Sequence, residues 1–182
     1  MKDVLIGIDV GTSACKAAAF DLQGKVLAQV TESYSVYYPH PGWAEQDPEE
    51  WWNAVRTALK RIFTEGSLSP EQVVGVGIDG QSWSAIPVDR KGNVLYNTPI
   101  WMDTRARELC GELENRLGGE RIFACSGNPL SPSYTLPKVL WYKEHLPQVY
   151  ERADKILQSN GFIAFRLTGA ITQDKSQGYG WA

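Results

Sequence analysis

The sequence is poor in several features that would point quickly to a chemistry. Cysteine occurs three times in 182 residues and histidine only twice. Cys15, Cys110 and Cys125 are irregularly spaced and form no metal or disulfide framework. Their odd number suits reduced thiols in a cytoplasmic setting. His40 and His145 stand in polar surroundings without companion ligands, so neither suggests a metal site or a nucleophile triad. No apolar run could span a bilayer, and no signal-type segment precedes the first apolar stretch. A basic block is missing too: 18 Lys and Arg against 21 Asp and Glu leave a net charge of −3. Nucleic acid and anionic membrane are therefore not expected partners. Neither a Walker A loop nor GxGxxG occurs.

A hydrophobic share of 43% is enough for the core of one domain, and seven tryptophans are many for this length. Some of these should be core, while carbohydrate sites also favour aromatic faces. The organising stretch is Ile6-Gly7-Ile8-Asp9-Val10-Gly11-Thr12-Ser13-Ala14-Cys15-Lys16. An apolar strand ends on a carboxylate, a tight turn follows, and a second strand returns through Phe20 and Asp21. Gly11 lets a ligand approach the backbone, Thr12 and Ser13 offer hydroxyl and N–H donors, and Lys16 offers a mobile cation. Asp9 would repel phosphate alone, so its natural partner is a hydrated Mg²⁺. These are the parts of a phosphate-binding hairpin; the same residues also suit an ordinary turn in which Asp caps its own backbone. Lys16 reads equally as an exposed lysine on an edge strand. Cys15 reads as a small buried hydrophobe.

A third strand is expected over Lys25 to Ser33. Asp47-Pro48-Glu49-Glu50 announces a helix, with Asp47 as N-cap and Glu50 completing a capping box. Trp51, Val55, Ala58, Leu59, Ile62 and Phe63 follow at helical spacing, and Gly66 ends the helix. Val73 to Asp79 reads as a buried parallel strand, followed by the loop Gly80-Gln81-Ser82-Trp83. Ser84 to Asp89 reads as a further strand and Asn97 to Arg105 as a short extended stretch. Helices are expected near 105–117, 120–125 and 136–145, with a short one from Pro147. Lys155-Ile156-Leu157 reads as a strand, and Ser159 as the cap of a helix through Leu167 closed by Gly169. From Ile171 the chain is polar and irregular, and it stops at Trp181-Ala182 in mid-pattern. This order gives a mixed sheet with ligand loops at its carboxyl edge, carrying Asp9 to Ser13, Gly80 to Trp83 and Trp101 to Arg105.

Four segments carry a resemblance to a known family. They are Gly7 to Ser13 with Lys16, Trp43-Ala44-Glu45-Gln46-Asp47-Pro48 with Trp51-Trp52, Val76 to Gln81, and Pro99-Ile100-Trp101-Met102-Asp103-Thr104-Arg105. In this order they resemble the N-terminal domain of the FGGY carbohydrate kinases, with weaker likeness through Ser126-Gly127-Asn128, Pro137 to Trp141 and Leu167-Thr168-Gly169. The resemblance implies an α/β, ribonuclease H-like (actin/hexokinase/Hsp70-type) fold: a mixed β-sheet with helices on both faces. It implies residues 1–182 as the sugar-binding domain, with the ATP-binding domain and the catalytic base lying outside this chain. It also implies ATP and Mg²⁺ as cofactors and a small-molecule sugar or polyol as substrate. Asp9 would hold Mg²⁺ through water and position the phosphoryl group, with Gly11, Thr12, Ser13 and Lys16 around it. Gln81, Ser82, Trp83, Trp101 and Asp103 would contact the sugar. Trp101 could instead be core, and Asp103 could instead pair with Arg105 or Arg107 or cap the next helix.

The likeness has departures. Ser82-Trp83-Ser84 stands where the family's xylulokinases carry Met-His-Gly, and the Arg-Glu pair of its glycerol kinases is missing. Gln158-Ser159-Asn160-Gly161 replaces a common Pro-Lys-Asp-Tyr, and Thr172-Gln173-Asp174-Lys175 a common Thr-Asp-Tyr-Ser. A xylulose-like ketopentose is the first expectation, with the chain inactive by itself and a homodimer left open. A non-catalytic sugar-sensing module of the actin-like superfamily is the alternative, and a chaperone- or actin-type ATPase a weaker third.

Overall fold

A computed structural model describes residues 3–181; Ala182, where the sequence pattern breaks off, lies outside them. The opening apolar run alternates as a strand with one buried face should. In β1 (Val4–Val10), Val4, Ile6, Ile8 and Val10 point into the core, while Leu5, Gly7 and Asp9 face the other way. A turn closed by Gly11 N donating to Ala14 O at 3.1 Å leads into β2 (Ala14–Asp21). β3 (Val26–Ser33) pairs antiparallel with β2, with a register shift between Ala19 and Phe20.

After the short β4 (Glu45–Gln46), helix α1 (Pro48–Glu65) crosses back and delivers β5 (Val73–Gly80) parallel to β1. The sheet order is β3-β2-β1-β5. Trp51, Ala54, Val55, Ala58 and Ile62 bury one stripe of α1 against β2 and β3. Asp47 caps it by accepting from Glu49 N at 2.8 Å. The capping box does not form. The Glu50 carboxylate instead accepts from Ser35 N and Tyr37 Oη, because the loop after β3 folds over this first turn and takes it.

The rest of the chain builds a second layer. β6 (Ile86–Val88) and β7 (Thr98–Pro99) are shorter than their expected stretches, because the residues around them turn to pair with β8 (Lys155–Leu157) and β4. Helices α2 (Arg107–Leu117), α3 (Gly119–Ser126), α4 (Thr135–His145) and α5 (Pro147–Arg152) follow, and α6 (Ser159–Thr168) packs on β5 and α1. Ser159 is the first residue of α6 rather than its cap, since its hydroxyl donates to Gln81 O at 2.7 Å. The polar tail forms 3₁₀ turns over Lys175–Trp181 that dock on α4.

The mixed sheet and its packed helices make the α/β fold that the sequence reading expects. Both α1 and α6 cover one face of the sheet, and the other is an open concavity of about 730 Å³ floored by Gly7, Asp9, Lys16, Ala18, Gln29 and Gly77. No helix among the described residues is long and apolar enough to cross a membrane.

Candidate functional site

Parallel pairing of β1 with β5 brings Val10 beside Gly80, so the loops that follow the two strands lie side by side. Gly80 is needed at this approach: a Cβ there would stand 2.6 Å from Ser159 Oγ and 3.1 Å from Val10 O. Between the loops lies a hollow of about 400 Å³. It gathers Asp9, Gly11 and Thr12 from the first loop, Gln81, Ser82 and Trp83 from the second, and Trp101 from the segment after β7. Asp9 and Gln81 thus share one cavity, as the sequence reading requires. Ser13 is exposed beside it, and Lys16 and Asp103 do not line it.

Lys16 sits in register with Asp9 on β2, its ammonium 3.7 Å from the carboxylate, with both side chains about half exposed or more. Such a surface pair contributes little to stability. Trp101, 43% exposed, donates its indole N–H to Thr12 Oγ1 at 3.0 Å and so forms a wall rather than core. Gln81 lines the hollow, but its amide is already engaged: Nε2 donates to Gln46 Oε1 at 2.7 Å and to Gly11 O at 3.3 Å. Its amide hydrogens are thereby committed, while Oε1 has no partner among the described residues. Asp103 is corrected. It is fully buried, accepts from Ala44 N at 2.7 Å, and is held by the Arg105 guanidinium at 2.8–2.9 Å. The ion-pair alternative is the one realised.

Trp83 adopts φ 66°, the left-handed region that non-glycine residues seldom occupy, and both its backbone groups are pinned by buried side chains. Its N–H donates to Gln158 Oε1 at 2.8 Å, and its carbonyl accepts from Lys138 Nζ at 2.8 Å. Lys138 also donates to Ile100 O at 2.8 Å, the carbonyl just before Trp101, so one ammonium ties the backbones of both aromatic walls. The Trp83 ring packs at 5.0 Å on Tyr134 and 5.5 Å on Tyr179. Tyr179 also lines the hollow, and the irregular tail gave no periodicity from which to find it. Asp79 is a second addition, the register neighbour of Asp9 on β5. Cys15 is buried beneath the hairpin, its thiol pushed up to about 11 by burial. No cluster of three metal-ligating side chains exists among the described residues.

Burial holds the Lys138 ammonium down to about 7 from its ordinary 10.5, against the pull of Asp103 and with the push of Arg105. Between those values the unfolded chain keeps a proton that the folded chain has released, so raising the pH favours folding. Below pH 7 both states are charged and this slope vanishes. Stability measured by urea unfolding should therefore rise by about 2 kcal/mol from pH 7 to 9 through this group. Lys138→Met should remove that rise, and an unchanged slope in the variant would contradict the assignment.

The chain belongs to the FGGY family of carbohydrate kinases: the model of that family's N-terminal domain matches residues 4–178. Among curated relatives, it is 40% identical to a xylulose kinase of Klebsiella pneumoniae over 175 residues, 96% of this chain and 35% of the relative. It thus spans about a third of the length of the curated relatives it matches. Among solved structures, a xylulose kinase from Rhodospirillum rubrum superposes with a TM-score of 0.92 at 27% identity, covering 98% of this chain and 36% of that one. A gluconate kinase from Lactobacillus acidophilus gives 0.91 at 28% identity, covering 99% and 36%. Relatives named for different sugars therefore share this backbone.

Proposed function

We propose that this chain is the sugar-binding lobe of a kinase that transfers a phosphoryl group from ATP to a sugar or polyol hydroxyl, with a xylulose-like ketopentose as the favoured substrate. The observation that carries the reading is the shared hollow, where a phosphate-type hairpin at Asp9 to Ser13 meets indole walls at Trp83 and Trp101. An indole face suits the C–H side of a sugar, while the Ser82 and Thr12 hydroxyls can meet its polar edge. The names of the similar xylulose kinases support the sugar class. The second lobe of the protein, outside this chain, would bring the nucleotide and the catalytic base.

Magnesium fits the donors at this end of the sheet, because Asp9 is half exposed and Asp79 is its register neighbour, both hard oxygen ligands. When bound, it would neutralise charge on the phosphoryl oxygens during transfer. The chain's own residues would position: Asp9 would hold the metal's water shell, Thr12 and Ser13 would donate to phosphoryl oxygens, and Trp83 and Trp101 would fix the sugar between them.

A coupled assay of ATP consumption on the protein carrying both lobes tests this, with xylulose, ribulose, glycerol and gluconate as acceptors. The highest kcat/KM is expected for xylulose, and none for the 182-residue chain by itself. Turnover by the single lobe, or no turnover of any acceptor by the whole protein, would overturn the reading.

A further inference from the structure

Three side-chain donors, one of them on the fully buried Gln46, converge on two consecutive carbonyls of the hairpin. Tyr34 Oη donates to Gly11 O at 2.5 Å, and Gln81 Nε2 reaches the same oxygen at 3.3 Å. Gln46 Nε2 donates to Thr12 O at 2.8 Å and to Ser35 O at 3.0 Å, while its Oε1 accepts from Gln81. Gln46 is fully buried, and its amide has one workable orientation: turned over, its oxygen would face two carbonyl oxygens. The pair of amides is therefore a fixed brace between β4, the hairpin and the loop after β5.

A trans peptide holds its C=O and N–H antiparallel. Drawing the Gly11 and Thr12 carbonyls toward the brace therefore turns the N–H groups of Thr12 and Ser13 the opposite way, outward. Neither N–H has an intramolecular acceptor among the described residues. Gln81 Oε1 has no partner among the described residues, because Nε2 is the atom turned toward Gln46 and Gly11.

We infer that Gln46, Gln81 and Tyr34 are positioning residues that set the two peptide planes of the hairpin, so that the Thr12 and Ser13 N–H groups stand ready for phosphoryl oxygens. The inference deepens the proposed kinase reading and rests on it for the identity of the anion. It assigns to the two glutamines a role in the phosphate half of the site rather than the sugar half.

The test uses the ¹⁵N-labelled 182-residue chain with inorganic phosphate as probe. Residual dipolar couplings report the Thr12 and Ser13 N–H directions without ligand, and a phosphate titration followed by amide shifts reports affinity. In Gln46→Met, Gln81→Met and Tyr34→Phe, the couplings of residues 11–13 should change while those of the sheet stay fixed. Phosphate affinity at the Thr12 and Ser13 amides should fall at least tenfold in the two glutamine variants. Tyr34→Phe keeps the ring packing and reports the brace even where a glutamine variant unfolds. Couplings identical to the parent chain in the folded variants would overturn the proposal. Altered couplings with no phosphate shift in the parent would instead uphold the brace and sink the phosphate reading.

Discussion

Arg105→Met is expected to destabilise the fold by about 3–5 kcal/mol, the range for removing one partner from a buried ion pair. The Arg105 side chain has no solvent exposure. Its guanidinium donates to Glu45 at 2.7 Å and to both oxygens of Asp103, and it is stacked 3.8 Å from the Trp43 ring and 4.9 Å from Trp141. Methionine would fill much of the volume between the indoles but leave two buried carboxylates without the guanidinium that bridges them. The contrasting control is Arg61→Met, whose pairs with Glu32 and Glu65 lie at the surface and should cost under about 1 kcal/mol. Urea unfolding of both variants at one pH provides the comparison. Equal small losses would mean that the Asp103–Arg105–Glu45 group is not the strut described above.

The second large effect concerns chemistry rather than stability. In the protein carrying both lobes, Asp9→Ala should lower kcat by about 10³-fold, the scale on which one pre-positioned electrostatic group supports phosphoryl or acyl transfer. Sugar affinity should change little, because the aromatic walls are built from other segments. Folding stability should also stay close to the parent, since among the described residues the ion pair of Asp9 is the exposed contact with Lys16. A sugar-sensing module without catalysis would lose neither affinity nor signal on this substitution. Initial rates across sugar concentrations separate kcat from KM and decide between the two.

Local patterns announced themselves where one face of an element is buried against one partner. The alternation of β1 and β2 around a Gly-Thr-Ser turn fixed the hairpin, and the helical stripe from Trp51 to Ile62 fixed α1. The parallel run from Val73 to Gly80 then placed two loops at one sheet edge, which is why the hollow could be anticipated. What escaped notice depends on partners distant in the chain. Asp103 was legible as a polar residue near an indole, but its burial is decided by Ala44 and Glu45, some sixty positions earlier, which draw Arg105 inward. Gln81 was legible as a loop amide, but Gln46 claims it across the hairpin. Glu50 matched a capping pattern, yet the tertiary contact with Ser35 and Tyr37 won over the local one. Tyr179 belongs to a tail whose 3₁₀ turns have no long periodicity to read.

The hydrogen bond between the Trp101 indole and the Thr12 hydroxyl also sets a polarity. Because an indole nitrogen can only give its proton, the threonine oxygen is the receiving partner, and its own hydrogen is left to turn toward an incoming oxygen. The wall that would press against a carbohydrate is thereby wired to the loop that would grip a phosphoryl group. A sugar packed on the Trp101 face would therefore lie one hydrogen bond from the Thr12 hydroxyl.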